Sequence, residues 1–254
     1  MTEVAEHVQR DQPEGVPPLA LTGERTLPDV PAENYWFRRH LAVYRWVAER
    51  CAGLEVVDMA SGEGYGVDVL ARRARTVTGV EANPEAFAHS KAKYERPGVG
   101  FVRELVQTYR QPCEAIVFLQ TIEHVEQPER LLRHFRDMLL PGGSAYVSTP
   151  NVLTLAPKGA EKSDNPWHLR EYRAEEFRAL CESAFGSVEL LGLFHARKLR
   201  AHELALSAGW DRVHAALGIT ERFYDWFTPA ISARDFVLRE GPLERALDFV
   251  AVLR

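Results

Sequence analysis

The stretch Val56-Val57-Asp58-Met59-Ala60-Ser61-Gly62-Glu63-Gly64-Tyr65-Gly66 constrains the fold of this chain more than any other. Two β-branched residues running into an acid read as the buried end of a parallel strand. Gly62, Gly64 and Gly66 read as a tight turn opening a helix. Glycine belongs there because a side chain would hold the backbone away from a ligand. In an open α/β sheet such a turn lies at the carboxyl ends of the strands, where ligands bind. Several nucleotide-binding classes share it, so alone it does not choose the ligand.

The chain downstream repeats the strand-then-helix alternation. Thr76 to Glu81 reads as a strand ending on an acid 19 residues after Gly62, the spacing that lets a carboxylate accept hydrogen bonds from two ribose hydroxyls. Asn83-Pro84 caps a helix reaching about Tyr94. Gly100–Arg103 and the fully apolar Ala115–Leu119 are the next strands, the second running into Gln120-Thr121-Ile122-Glu123-His124. A helix from Pro128 is predicted to stop at Pro141-Gly142-Gly143, followed by strands at Ala145–Thr149, Val188–Phe194 and Leu247–Leu253. This alternation predicts an α/β, Rossmann-like doubly wound sheet of seven strands, the last antiparallel, with its strand-to-helix loops on one rim.

Three flanking regions complete the expected organisation. Residues 1–22 are polar, proline-bearing and aperiodic, and read as a disordered tail; residues 23–50, with Tyr35-Trp36-Phe37, read as a lid helix. Residues 51–254 form one domain, with a helical insertion at about 201–240 serving as a dimer surface or substrate cap. The 254 residues, 46% apolar and 26% charged, suffice for one sizeable core. A net charge of -5 without a basic run argues against a nucleic-acid or membrane-surface partner. No stretch is apolar for as long as a membrane span, and the amino terminus lacks a signal pattern, so a cytoplasmic protein is expected. The three cysteines, Cys51, Cys113 and Cys181, lack metal-site spacing and read as buried small hydrophobes.

Taken in order, these motifs resemble the class I S-adenosylmethionine-dependent methyltransferases, from about Leu54 to Thr149 and again in the last strand. The resemblance implies that Asp58, Gly62, Gly64 and Gly66 surround the amino-acid part of S-adenosylmethionine, that Glu81 holds its ribose, and that Gln120 to His124 border the methyl group. Two positions depart from the family pattern. Ala60 stands where the first glycine is usual and is tolerable only with a negative φ; Leu105 stands near a usual adenine-contacting acid. The flanks, T-G-E-R-T-L-P, E-N-Y-W-F-R-R-H, S-T-P-N, N-P-W-H-L-R-E and G-L-F-H-A-R-K-L-R, are similar to actinobacterial sugar and polysaccharide O-methyltransferases, including those acting on methylmannose polysaccharide at O1. In such enzymes the lid approaches the cofactor carboxylate, which makes Arg38, Arg39 and Tyr35 candidates there.

Methyl transfer from a sulfonium is an in-line displacement, and a sugar hydroxyl needs a base to take its proton. Histidine suits that task near neutral pH. His124, beside Glu123 on the rim, and His168, in a polar loop with Glu171, are the favoured bases, one acid orienting an imidazole; His40 and His195 compete, and each histidine has an ordinary structural reading too. Glu123, His124, Asp164, His168 and Glu171 could also gather a Mg²⁺, although no ligand spacing marks a metal site. Tyr35, Trp36, Phe37, Trp167 and Phe194 offer apolar walls for a small-molecule or oligosaccharide acceptor. Methylation at nitrogen or carbon, an NAD-dependent oxidoreductase and a non-catalytic S-adenosylmethionine-binding scaffold are the alternatives. The E-H after the fourth strand and the lack of a Tyr-x-x-x-Lys pair weigh against the oxidoreductase.

Overall fold

A computed structural model describes residues 9, 12–21, 25–28, 30–157, 160 and 162–254. In chain order the elements are α1 (Asn34–Arg50), β1 (Glu55–Met59), α2 (Tyr65–Leu70), β2 (Thr76–Val80), α3 (Pro84–Tyr94), β3 (Val99–Val102), β4 (Cys113–Leu119), α4 (Pro128–Met138), β5 (Leu139–Pro150), α5 (Val152–Leu155), α6 (Ala174–Glu182), β6 (Val188–His195), α7 (Arg197–Ser207), α8 (Trp210–Ala216), α9 (Thr220–Ala230), β7 (Phe236–Arg239) and β8 (Asp248–Leu253). The strands form one sheet in the order β3-β2-β1-β4-β5-β8-β6-β7. β1 to β5 pair in parallel, and β8 runs antiparallel between β5 and β6. The doubly wound sheet is as expected, with eight strands instead of seven. The addition is β7, four residues at the end of the insertion that lie antiparallel on β6.

Alternation along the central strands feeds two cores. Val56 and Val117 face α1 and α2, whereas Val57, Ile116 and Phe118 face α4 and α6. α4 shows how one helix is fixed: its polar residues point outward while Leu131, Leu132, Phe135 and Met138 are buried. Burial of this kind contributes roughly 1.5–3 kcal/mol per large side chain. α4 stops at Met138, just ahead of Pro141-Gly142-Gly143 as expected, but those three residues belong to the start of β5 and not to a separate turn. Gly142 has φ 82 there, and the pairing of β4 with β5 shifts register between Cys113 and Ala115. The Pro-Gly-Gly turn is absorbed as an irregularity at the strand's start.

The amino-terminal segment differs from the tail and lid read from sequence. Leu19, Leu27 and Val30 are buried with Ala86 of α3, and the Pro17 carbonyl accepts from His89 Nδ1 at 2.7 Å. Residues 12–21 thus pack against α3 as a strap, and residues 1–8, 10, 11 and 22 of the expected tail lie outside the described residues. α1 is a core layer, with Phe37, Leu41, Val43, Tyr44 and Val47 buried. α1 reaches the glycine turn through Tyr44, which packs on Gly66, and the strap reaches it through His89, which bridges the Pro17 carbonyl and Glu63. All three cysteines are buried thiols. Among the described residues no helix is long and apolar enough to cross a membrane.

Candidate active site

β1 ends at a cleft of about 510 Å³ on the rim of the sheet, bounded by Ala60 to Glu63 on one side and by Gln120, Thr121, Glu123, His124 and His168 on the other. Arg25, Thr26, Trp36 and His40 close it above. The three glycines of the turn have separate tasks. Gly62 has open space where a Cβ would stand, and its N–H donates to Glu81 Oε2 at 2.8 Å. Gly64 has φ 97 and starts α2. A Cβ on Gly66 would lie 2.2 Å from the Tyr44 ring, so this glycine admits Tyr44. Only Gly62 meets the cleft directly.

Ala60 adopts φ 57, against the expectation of a negative value. The left-handed conformation demanded at the family's usual glycine is kept here at a cost of roughly 1–2 kcal/mol. Gln120, at the end of β4 across the cleft, is also left-handed (φ 51), and its N–H and its Nε2 each donate to Ser148 Oγ at 3.0 Å. Two strained residues facing one cleft are the kind of outlier that accumulates at functional sites.

The acids divide into exposed and buried roles. Glu81 leaves β2 with Oε2 on Gly62 and Oε1 accepting from Asn83 N at 2.8 Å, which fixes its carboxylate beside the turn. Asp58 is fully buried under Tyr44, whose hydroxyl lies 3.3 Å from both carboxylate oxygens; burial raises its pKa well above the usual range. Glu63, which sequence reasoning passed over, is buried and accepts from Lys93 Nζ at 2.7 Å, His89 Nε2 at 3.1 Å and Gln9 Nε2 at 3.3 Å. It ties the strap, α3 and the glycine turn together.

Two predicted cofactor contacts are corrected. Arg39 is buried and committed to Asp248, with Nε donating to Oδ2 at 2.7 Å, because the start of β8 presents a buried acid that needs a counter-ion. Tyr35 points to the opposite side of α1, its hydroxyl 2.8 Å from His195 Nε2 and its ring against Phe236. Arg38 pairs with Asn34 through Nε at 3.0 Å. Arg25, which the sequence offered only as part of the T-G-E-R-T-L-P string and not as a site residue, lines the cleft and makes no hydrogen bond or ion pair with a described residue. Leu105 is 56% exposed beyond β3 and does not line the cleft. Of the aromatic walls, Trp36 lines the cleft and Trp167 is exposed, whereas Phe37 is core.

His124 and His168 meet edge to face, ring centroids 5.0 Å apart. His124 Nδ1 donates to the Trp167 carbonyl at 2.8 Å, so the lone pair sits on Nε2. Both nitrogens of His168 are engaged. Nδ1 donates to Glu171 Oε1 at 2.6 Å, and Nε2 accepts from Asn165 Nδ2 at 3.0 Å. Asn165 Oδ1 takes the Trp167 N–H at 3.0 Å, which fixes the amide's orientation. Glu171 also receives Ser163 N at 2.8 Å and the Ser163 hydroxyl. His40 lines the cleft too, but burial lowers its pKa to about 4. His195, lowered by burial, lies between Tyr35 and Glu203, outside this cleft.

Glu123 is buried beside the histidines, accepting from Thr149 Oγ1 at 3.2 Å. Burial outweighs that hydrogen bond and the backbone's, and pushes the carboxyl up to about 8. The native state therefore keeps a proton that the unfolded chain releases near 4.5, and stability falls as pH rises from there towards 8. Glu123→Gln removes this dependence. Its stability relative to the parent should increase by about 2–3 kcal/mol between pH 5 and pH 7, as measured by urea unfolding. An equal difference at both pH values would show that the carboxyl ionises normally.

One carboxylate oxygen of Glu123 and one nitrogen each of His124 and His168 lie within 4.8 Å of one another, the group among the described residues that could hold a metal. Asp164 and Glu171 do not join it, in contrast to the five-residue set considered from sequence. Two imidazoles and a single carboxylate suit a transition metal better than Mg²⁺, which prefers oxygen ligands.

A methyltransferase domain model matches residues 31–204. A probable S-adenosylmethionine-dependent methyltransferase of Mycolicibacterium smegmatis is 37% identical over 246 residues, covering 92% of this chain and 94% of its own. Another, of Mycobacterium tuberculosis, is 40% identical over 186 residues, 72% of this chain and 67% of its own. The crystal structure of an S-adenosylmethionine-dependent methyltransferase from Mesorhizobium loti shares the fold, with a TM-score of 0.56 at 17% identity over 85% of this chain and 98% of that one. Domain match and near-full-length relatives agree: the chain belongs to the class I S-adenosylmethionine-dependent methyltransferases, and S-adenosylmethionine is its cofactor.

Proposed function

We propose that the protein methylates a hydroxyl of a sugar or glycoside, with His124 taking the proton. The supporting observation is the paired imidazoles facing the glycine turn across the cleft, one of them held with its basic nitrogen at Nε2. A nitrogen acceptor would need no such base, whereas a hydroxyl attacks well only as its proton leaves. S-adenosylmethionine supplies the electrophilic methyl when bound. Gly62 and Glu81 hold its amino-acid and ribose portions, and Arg25 meets its carboxylate. Trp36 gives the apolar C–H face of a sugar a surface to rest on, and Arg25 and Thr26 help to close the cleft to water.

In this reading His168 is a positioning residue. Glu171 and Ser163 set its ring, and its ring supports that of His124. Incubation with methyl-labelled S-adenosylmethionine and a panel of hydroxyl, amine and enolisable acceptors tests the reading. Label is expected in glycosides as an alkali-stable methyl ether. Label in amines alone would overturn it.

A further inference from the structure

A second cavity, of about 520 Å³, opens beside the cleft and has no part in the site described so far. α5 stands between the two: Leu155 lines the cleft, and its neighbour Thr154 lines the second cavity. Phe194 from β6, Arg239 from the end of β7, Arg245 just before β8, and Arg200 and Glu203 from α7 form the cavity's other walls. The insertion between β6 and β8 therefore supplies most of it.

The charge in this cavity is unbalanced. Three guanidinium groups face one carboxylate, and that carboxylate is taken by Arg200, whose Nη1 donates to Glu203 Oε2 at 3.0 Å. Glu240 and Glu244 adjoin the arginines in sequence without lining the cavity. Arg239 lies over the Phe194 ring, Cζ 4.2 Å from the centroid, and donates to the Glu240 carbonyl at 2.9 Å. Two glycines make room for this arrangement. A Cβ on Gly241 would come within 2.5 Å of Arg239 Nη1, and one on Gly192 within 2.7 Å of the Phe194 ring. The Arg245 side chain makes no hydrogen bond or ion pair with a described residue; only its backbone N–H is engaged, by the Pro242 carbonyl. One guanidinium held by stacking and another without a partner, in a concave site with an aromatic floor, suit a planar or tetrahedral oxyanion. This stands out in a chain whose net charge is -5.

The geometry points to this cavity as the subsite for a carboxylate or phosphate carried by the acceptor beyond the ring that is methylated, gripped by Arg239 and Arg245. The inference rests on the glycoside reading for the acceptor, and on the cavity alone for the anion. It gives the insertion the role of selecting acidic acceptors over neutral ones.

Two measurements separate these parts. Titration of the S-adenosylhomocysteine-loaded protein with inorganic phosphate should show salt-sensitive binding, weakened at least about tenfold in Arg239→Gln/Arg245→Gln. It should persist in Arg133→Gln, which removes an exposed charge on α4. Thermal midpoints confirm that the variants fold. Equal binding by all three proteins, or none, overturns the inference. In the second measurement, the ratio of kcat/KM for a glucuronide or sugar phosphate to that for the matching neutral glycoside should favour the anion and fall towards one in the double variant. If phosphate binding responds to the arginines but this ratio does not, the cavity takes a free anion and the acceptor assignment is wrong. If no glycoside is methylated while phosphate binding still responds, the glycoside reading fails and the anion site stands.

Discussion

His124→Ala is expected to lower kcat by about 10²–10⁴-fold, the range of a lost general base, while S-adenosylhomocysteine still binds. The Trp167 carbonyl holds the imidazole through Nδ1 at 2.8 Å, so Nε2 is the nitrogen that accepts a proton. On His168 the corresponding atom, Nε2, accepts its hydrogen bond from the Asn165 amide, which cannot turn without losing the Trp167 N–H. His168→Ala should therefore cost less than His124→Ala, and Glu171→Gln should resemble His168→Ala. The parent enzyme should lose activity on the acidic side as the base is protonated, and this limb should disappear in His124→Ala. A purely structural His124 would instead give a lower thermal midpoint with an unchanged pH profile. A loss of less than about threefold would place the base elsewhere.

What the sequence disclosed was local, and what it concealed was distant. The apolar run Ala115–Leu119, the capped helix at Asn83-Pro84 and the acid after β2 are each legible within a few residues, and all stand where they were read. Partners were not legible. His124 is held by a carbonyl 43 residues away, and Tyr35 meets a histidine 160 residues away, so nothing in either neighbourhood marks the contact. Glu63 was hidden by its setting between two glycines, where it reads as a solvated spacer. Its burial follows only once α3 and the strap bring His89, Lys93 and Gln9 around it. Ala60 was misjudged because the backbone conformation belongs to the turn and not to the residue; Gly62 and Gly64 fix the path, and Ala60 conforms. β7 escaped notice because four residues inside a helical insertion carry too little alternation to be seen.

Arg39 shows the largest gap between the two readings, and it carries a large stability effect. Arg39→Met should destabilise the protein by about 3–5 kcal/mol, because the carboxyl of Asp248, almost wholly buried, would be left without its partner. Asp248→Leu should cost a similar amount for the complementary reason. The pair is separated by 209 residues and bolts α1 to the first residue of β8; besides its two bonds to the Asp248 carboxylate, the guanidinium donates to the Leu247 carbonyl at 2.6 Å. Since α1 also carries Trp36 and His40 into the cleft, either single variant should also raise the KM for acceptor. The double variant Arg39→Met/Asp248→Leu separates attraction from desolvation. Burying two apolar side chains removes both uncompensated charges, so it should recover most of the lost stability in urea unfolding. Recovery of stability without recovery of KM would mean that the ion pair is kept for the placement of α1. If each single variant costs less than about 1 kcal/mol, water reaches the pair and its burial is incomplete. If the double variant is as unstable as the sum of the singles, the two residues act separately and α1 is anchored by its apolar face alone.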